Sequence, residues 1–462
     1  MRLGKNLQAF GISVLLLSLV LPVRSAALPA RSPLGGVSFV PTDPDFPIRD
    51  ATGGSACEEM HPDVAYDEDN DQYLVVYDMD LYGTSDRDIY GVLVSADGHT
   101  VGTPFWIAST TNDETYPAVA RNPYGNDYLV VWQEYPAAGG AADVWGRIVT
   151  PPTVGSRFLI AGATESQAFP DVAYATAPHY YLVVWEDWDS SLANPSNIRG
   201  HCVNNDGTLV GSAFTISTHA QAQYRPAVAT NAFDYRWLVV WEDYWSSTDH
   251  DVRAQAVDPA GGTCHLDGSE IYITGEVGMA SAPDVSWGRD DPYTLVYGQF
   301  LVTWAENNLV RGQRVDGETL AFSGSRITIS DAPSNKYPPA VAWSNSESAW
   351  WVVWPDNRTF ASGSARATLG GEPTFIFGER VGFDGSVSDS GVNERVSVNP
   401  PGYPPSNSQT EAAIAYGYWA ESSLVAWQDS GHLLPAPPYL GIWGRIWGPS
   451  ERVFLPLVLR SN

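Results

Sequence analysis

Four short apolar segments recur in the same order seven times, and this repeat constrains the fold more than any other feature of the chain. Segment A is Pro-x-Val-Ala-like: Pro62–Ala65, Pro117–Ala120, Pro170–Ala173, Pro226–Ala229, Pro283–Ser286, Pro339–Ala342 and the divergent Glu411–Ala415. Successive first residues lie 53 to 57 positions apart, except for a last gap of 72. Segment B is Tyr-Leu-Val-Val-Trp-like: Tyr73–Tyr77, Tyr128–Trp132, Tyr181–Trp185, Trp237–Trp241, Phe300–Trp304, Trp350–Trp354 and Ser423–Trp427. Segment C carries a small residue near its middle: Asp88–Val94, Asp143–Val149, Asn197–Val203, Asp251–Val257, Leu309–Val315, Phe375–Val381 and Leu440–Trp447. Segment D is Phe-x-Ile-like: Phe46–Ile48, Phe105–Ile107, Phe158–Ile160, Phe214–Ile216, Ile271–Ile273, Ile327–Ile329 and Val396–Val398.

Short β-branched and aromatic runs bounded by Gly, Pro, Asn and Asp read as strands. Turns such as Asp97-Gly98 and Asp206-Gly207 join C to D and suit tight hairpins. Four strands per unit at a period of about 40–60 residues is the signature of propeller blades. The almost continuous apolar character of segment B fits a strand covered on both faces by neighbouring blades. Its closing residues, Tyr77, Trp132, Trp185, Trp241, Trp304, Trp354 and Trp427, are expected to pack between blades.

The chain enters on a D strand and leaves after a C strand. Six blades are contiguous, and the seventh takes A, B and C from the C-terminal end and D from Phe46–Ile48. Such a closure removes an open sheet edge. The expected fold is therefore all-β, a seven-bladed β-propeller of four-stranded antiparallel blades with its ring closed by an N-terminal strand. The expected layout is a signal peptide over 1–27, a linker over 28–44, the propeller over 45–448 and a short apolar tail over 449–462. Over roughly residues 45–448 the repeat resembles, in architecture, the secreted bacterial β-propellers of the sialidase-like and kelch-like kind. The motifs differ. Trp-Glu-Asp at 185–187 and 241–243 lacks the Gly-His partner of a WD repeat, no Gly-Gly doublet recurs at a fixed place after a strand as in kelch repeats, and Ser95–Thr100 lacks the spacing and Trp of a sialidase box.

Export is read from the N-terminus. Arg2 and Lys5 precede an apolar run, Phe10 to Val23, and small residues follow at Ser25, Ala26, Ala27 and Ala30. This pattern predicts cleavage near 25–30; the run is shorter than the ~20 residues a membrane helix uses. The mature protein is expected to be a monomer, secreted or held at the cell surface, with no membrane insertion. The tail Val453–Arg460, with its Leu-Pro-Leu core, looks like the short ends of many secreted bacterial proteins. The formal charge is −28. Such a surface repels phosphate backbones and anionic headgroups, so nucleic acid is not an expected partner. Cys57, Cys202 and Cys264 show no CxxC spacing. They allow one bridge, with Cys202–Cys264 favoured because they fall in neighbouring repeats, or buried free thiols.

No catalytic motif stands out. There is no Gly-x-Ser-x-Gly elbow and no His-Glu-x-x-His. Arg49, Arg225 and Arg253 are the arginines that a sialidase-type carboxylate clamp would draw on. What remains is loop chemistry. In a propeller the B–C and D–A loops gather at one end of the central channel and the A–B and C–D turns at the other. The third and fourth B–C loops carry Trp188, Tyr244 and Trp245 beside acids, and the D–A loops end in Tyr116, Phe169, Tyr224 and Tyr337. These seven aromatics are the candidate ligand-binding residues, because clustered exposed rings mark binding surfaces. Asp78, Asp80, Asp86 and Asp88 are candidate calcium ligands, since Ca²⁺ takes 6–8 oxygens. No other cofactor is expected. The function read from the sequence is a non-catalytic extracellular binding or scaffold propeller for a glycan or cell-surface protein, acting through the B–C/D–A face. The alternative is a secreted polysaccharide hydrolase using carboxylates on the same face.

Overall fold

The computed structural model describes residues 45–49, 57–81, 86–189, 196–217, 219, 221–233, 235–275, 277–290, 298–358, 374–387, 393–397, 408–418, 421–430 and 440–447. The expected signal peptide, linker and C-terminal tail, and most of the two long loops of the last repeats, lie outside them. Twenty-eight strands among the described residues form seven four-stranded antiparallel sheets. Blade one is Cys57–Asp67, Gln72–Leu81, Arg87–Ser95 and Phe105–Ala108. Blade two is Asp113–Asn122, Asp127–Tyr135, Asp143–Thr150 and Thr153–Ala161; blade three is Gln167–Ala175, Tyr180–Trp188, Ser196–Asn204 and Leu209–Ser217. Blade four is Ala222–Thr230, Trp237–Ser246, Asp249–Asp258 and His265–Tyr272; blade five is Ala280–Gly288, Gln299–Glu306, Leu309–Asp316 and Ile327–Ser330. Blade six is Ala340–Ser344, Ala349–Asp356, Phe375–Gly382 and Glu394–Arg395. Blade seven joins Ser408–Gly417, Ser422–Ser430 and Leu440–Trp447 to the N-terminal strand Phe46–Arg49, which pairs antiparallel with Leu440–Trp447. The molecule is a seven-bladed β-propeller.

Seven hydrophobic clusters among the described residues hold consecutive blades together. Alternate residues of each B strand face opposite neighbours, as a period of two requires. Leu182 and Val184 of blade three meet Trp237, Val239 and Trp241 of blade four; Leu238 and Val240 of blade four meet Phe300, Val302 and Trp304 of blade five. The same interlock joins blades seven and one, where Leu424 and Ala426 meet Tyr73, Val75, Tyr77 and the incoming Ile48. The residues closing the seven B strands are 0–1% exposed, which is the packing role expected of them.

Three details depart from the sequence reading. The D strand of blade six is Glu394–Arg395 rather than Val396–Val398; Val396 is instead buried against blade seven, and Val398 lies outside the described residues. The A strands of blades one to five begin three to five residues before their prolines, because a bulge at the proline lets pairing resume on its far side, while that of blade six begins just after Pro339. The B strands of blades three and four run on through Trp188 and Ser246, so Trp188, Tyr244 and Trp245 stand on strands and not on loops. Cys202 and Cys264 form a disulfide with their Cα atoms 6.2 Å apart, tying blade three to the C–D turn of blade four.

Candidate functional site

The site begins with a strained residue repeated around the ring. In six blades the A-strand register shifts at the proline, or at Ala412 in blade seven. Within each shift, the residue before that position has a left-handed backbone: His61 (φ 49), Tyr116 (51), Phe169 (49), Arg225 (51), Ala282 (47) and Glu411 (50). Non-glycine residues adopt this region only when their surroundings impose it. Here the preceding blade imposes it. A polar side chain just past the B-strand aromatic accepts the backbone N–H of the strained residue. Asp78 Oδ2 accepts from Tyr116 at 3.1 Å, Gln133 Oε1 from Phe169 at 2.9 Å, Glu186 Oε1 from Arg225 at 2.7 Å and Glu242 Oε2 from Ala282 at 3.0 Å. All four acceptors are buried. The Glu of each Trp-Glu-Asp is therefore a bulge cap. Burial pushes the Glu186 carboxyl up to about 7.

These bulges turn the strained side chains toward the axis, around a funnel of about 720 Å³ walled by the A-strand prolines. On one wall three rings pack in sequence, His61 tilted against Tyr116 with centroids 3.7 Å apart and Tyr116 edge-on to Phe169 at 4.7 Å. Arg225 and Tyr337 line it further round, and Glu411 closes the circle beside His61, with Nε2 to Oε2 at 3.6 Å. His61 Nδ1 lies 2.5 Å from Asp78 Oδ2. Burial alone would lower the His61 pKa, but the hydrogen bond to Asp78 and the charges of Asp78 and Glu411 outweigh it and raise it.

The floor of the funnel carries three aspartates in alternate blades, Asp63, Asp171 and Asp284, with Ala118, Ala227 and Ala340 between them. Each carboxylate serves two blades. Asp171 accepts the Val172 N–H at 2.8 Å and the Val228 N–H of the next blade at 2.7 Å; Asp284 accepts Val285 at 2.8 Å and Val341 at 2.7 Å. Asp63 accepts Val119 at 2.8 Å and also bonds the Val64 N–H. Three acids thus cap six inner strands in pairs, and the odd seventh blade has Ala413 at this position. Desolvation in the narrow channel outweighs these hydrogen bonds and raises Asp63 to about 6, Asp284 to about 7 and Asp171 well above the ordinary 3.8. Mutual repulsion adds to the shift at Asp171 and Asp284.

A pH dependence follows. The folded protein holds protons on these acids that the unfolded chain releases. Their stabilising contribution is complete below about 3.8 and is lost as pH rises through about 6 to 7. Glu186 works in the same direction. The melting temperature is expected to fall by several degrees between pH 5 and pH 8, and the Asp171→Asn variant to show a shallower fall. Thermal melts across that window check it, and a wild-type profile flat from pH 5 to pH 8 counts against it.

The aromatics expected to bind ligand divide into two groups. Tyr116, Phe169 and Tyr337 line the funnel. Trp188, Tyr224 and Tyr244 form a separate row across blades three and four, with centroids 5.9 and 6.1 Å apart, ending on His250 at 4.5 Å from Tyr244. Trp245 is 45% exposed and lies edge-on to His219 at 5.5 Å. Trp188 is half-buried and hydrogen-bonds to Glu186, so it supports a bulge cap as well. Asp78 is engaged by Arg87, His61 and the Tyr116 N–H, and among the described residues no group of three or more His, Cys, Asp or Glu is placed to hold a metal ion. Arg253, 1% exposed, is committed to Asp243 and Glu270. His61 and Glu411 were missed by the sequence reading, although the position just before the A-strand proline was the signal that could have found them.

No protein-family model matches the chain, and no curated protein matches it in sequence. Solved structures do match. A protein of unknown function from Dyadobacter fermentans aligns over 90% of this chain and 99% of its own at 11% identity, with a TM-score of 0.52. The endosialidase of phage phi92 aligns over 88% and 71% at 8% identity and a TM-score of 0.49. The β-propeller domain of the trilobed protease from Pyrococcus furiosus, described as having an open velcro topology, aligns over 87% and 99% at 9% identity and 0.46. At such identities the likeness to the first of these is a likeness of fold, and it agrees with the seven-bladed propeller described above.

Proposed function

We propose that this chain is an extracellular, non-catalytic binding propeller that recognises a glycan or a protein segment through its funnel face. The observation that carries this reading is the ring of capped bulges. Each spends backbone strain to aim one side chain at the axis, and the result is a pre-organised cavity with a packed aromatic wall, one arginine and one glutamate. Its volume is that of a ligand pocket. Pre-organisation lowers the ordering cost of binding. The disulfide supports an oxidising compartment, and with it the export signal read from residues 1–27. Binding is tested by titrating the purified protein against glycan and peptide arrays. Arg225→Ala and Tyr337→Ala are expected to weaken the captured ligand about tenfold or more, with melting temperatures close to wild type because both residues are exposed. Ligands bound equally by both variants would place recognition elsewhere.

A polysaccharide hydrolase on the same face is the second reading, and raised carboxyls on the funnel floor favour it. It stands second because both oxygens of Asp171 and Asp284 are occupied by backbone N–H groups, and Asp63 bonds two backbone N–H groups as well. Sugar released from any polysaccharide in the same assay, and abolished by Asp171→Asn, would reverse the order.

A further inference from the structure

The axial channel has a second mouth, at the end where the A–B turns gather, and a different repeat position lines it. Four residues after the A-strand proline, or after Ala412 in blade seven, stand Tyr66, Arg121, Tyr174, Thr230, Trp287, Trp343 and Tyr416. Five of the seven are aromatic. In blades one, three and six the ring meets the first aromatic of its own B strand, Tyr66 on Tyr73 at 5.2 Å, Tyr174 on Tyr181 at 4.7 Å and Trp343 on Trp350 at 4.7 Å. In blade seven the partner across the strands is Ser423, and no second ring backs Tyr416 from there. Between blades four and one these residues enclose a cavity of about 670 Å³, lined by Tyr66, Trp287, Trp343, Asn345, Tyr416 and Tyr418 among others.

Two features separate this lining from ordinary core. First, its rings stay open apart from Trp343, which is 8% exposed. Tyr66, Trp287 and Tyr416 are half-buried and Tyr418 is 50% exposed, whereas the B-strand tryptophans are sealed. Second, three of them, Tyr66, Trp343 and Tyr416, are pinned at their polar ends, so those ring planes are set in advance. Tyr66 Oη donates to Asp71 at 2.7 Å, Trp343 Nε1 donates to Asn345 Oδ1 at 2.8 Å, and Tyr416 Oη bonds Ser346 Oγ of the neighbouring blade at 2.9 Å while accepting the Ser346 N–H at 3.2 Å. Open, fixed aromatic faces edged by hydrogen-bonding groups match a molecule with flat C–H faces and a hydroxyl rim. The formal charge of −28 disfavours an anion. A single quaternary ammonium is a poor fit, because the rings are spread over several blades around the cavity and the nearby Glu68 is paired with Arg121 at 3.3 Å.

We propose that the A–B-turn mouth of the channel is a binding site for a neutral oligosaccharide, whose pyranose rings stack on Trp287, Tyr416 and Tyr418. The site is separate from the funnel and does not depend on the function proposed for it. The test is a tryptophan-fluorescence titration of the full chain with cellotetraose, maltotetraose and triacetylchitotriose, with choline chloride as the cationic probe. Saturable binding of at least one oligosaccharide is expected. Tyr418→Ala should weaken it about tenfold without moving the melting temperature, since that ring is exposed. Tyr416→Phe, which keeps the ring and removes the pin to Ser346, should weaken it less, and Arg225→Ala in the funnel should leave it unchanged. The proposal is overturned if no oligosaccharide binds below about 10 mM, if choline alone binds, or if Arg225→Ala abolishes binding while Tyr418→Ala does not.

Discussion

Trp241→Ala is expected to cost about 3–5 kcal/mol and to leave little folded protein, whereas Trp245→Ala, four residues further along the same strand, should cost about 1 kcal/mol or less. The two rings differ only in where the strand carries them. Trp241 is fully buried and fills the seam between blades three and four, against Leu182 and Val184 on one side and Val228 and Val257 on the other. Its removal leaves a cavity that a closed ring of blades has little freedom to collapse. Trp245 has passed beyond the blade interface. It is 45% exposed and touches the His219 ring and, at 5.8 Å, the guanidinium of Arg253. Paired denaturation curves of the two variants measure the contrast. Comparable losses would mean that the aromatics at this end of blade four are core, and would remove Trp245 from the candidate binding residues.

Deleting the chain through Arg49 is expected to be at least as damaging. Phe46–Arg49 is the fourth strand of blade seven, hydrogen-bonded to Leu440–Trp447. Ile48 is 3% exposed and belongs to the cluster that joins blades seven and one. Just before the strand, Asp45 meets Arg445 at 3.0 Å, and both side chains are buried. Removing Asp45 takes a buried carboxylate from the Arg445 charge, which also donates to the Val396 carbonyl at 2.9 Å. Losing one member of a buried ion pair typically costs about 3–5 kcal/mol, and the lost strand exposes a sheet edge that invites association. The melting temperature of the truncated chain should drop sharply, and size-exclusion profiles should show self-association. A truncated chain that melts like the chain that keeps residues 45–49 would mean that they contribute nothing to closing the ring.

Much of the architecture was legible because it rests on local chemistry. A strand declares itself through β-branched and aromatic residues within a few positions, and a turn through Asp-Gly. Seven copies of each segment, with entry on D and exit after C, were enough for blade number and strand order. The Trp-Glu-Asp segments were read as an imperfect motif, and the role of their glutamates became clear only when Arg225 and Ala282, 39 and 40 residues further on, were seen donating to them. Trp188 was read as a free loop ring for a related reason. The sequence contains no marker for where a B strand stops, and this one continues through Trp188.

What the sequence determined by itself was the blade: four strands, their order, and the apolar face of each. What only the tertiary structure decided was the axis. The alternation of Pro-Asp and Pro-Ala along the chain carries no local signal of its role. In the ring, Asp171 reaches across to Val228, 57 positions away, and one carboxylate caps two strands. The same closure turns one repeat position into a funnel wall and the position five residues later into the lining of the opposite mouth. The physical reason is that strand pattern depends on contacts between near neighbours, whereas a site on a propeller axis is assembled from residues more than fifty positions apart, whose side chains meet only once the blades have closed.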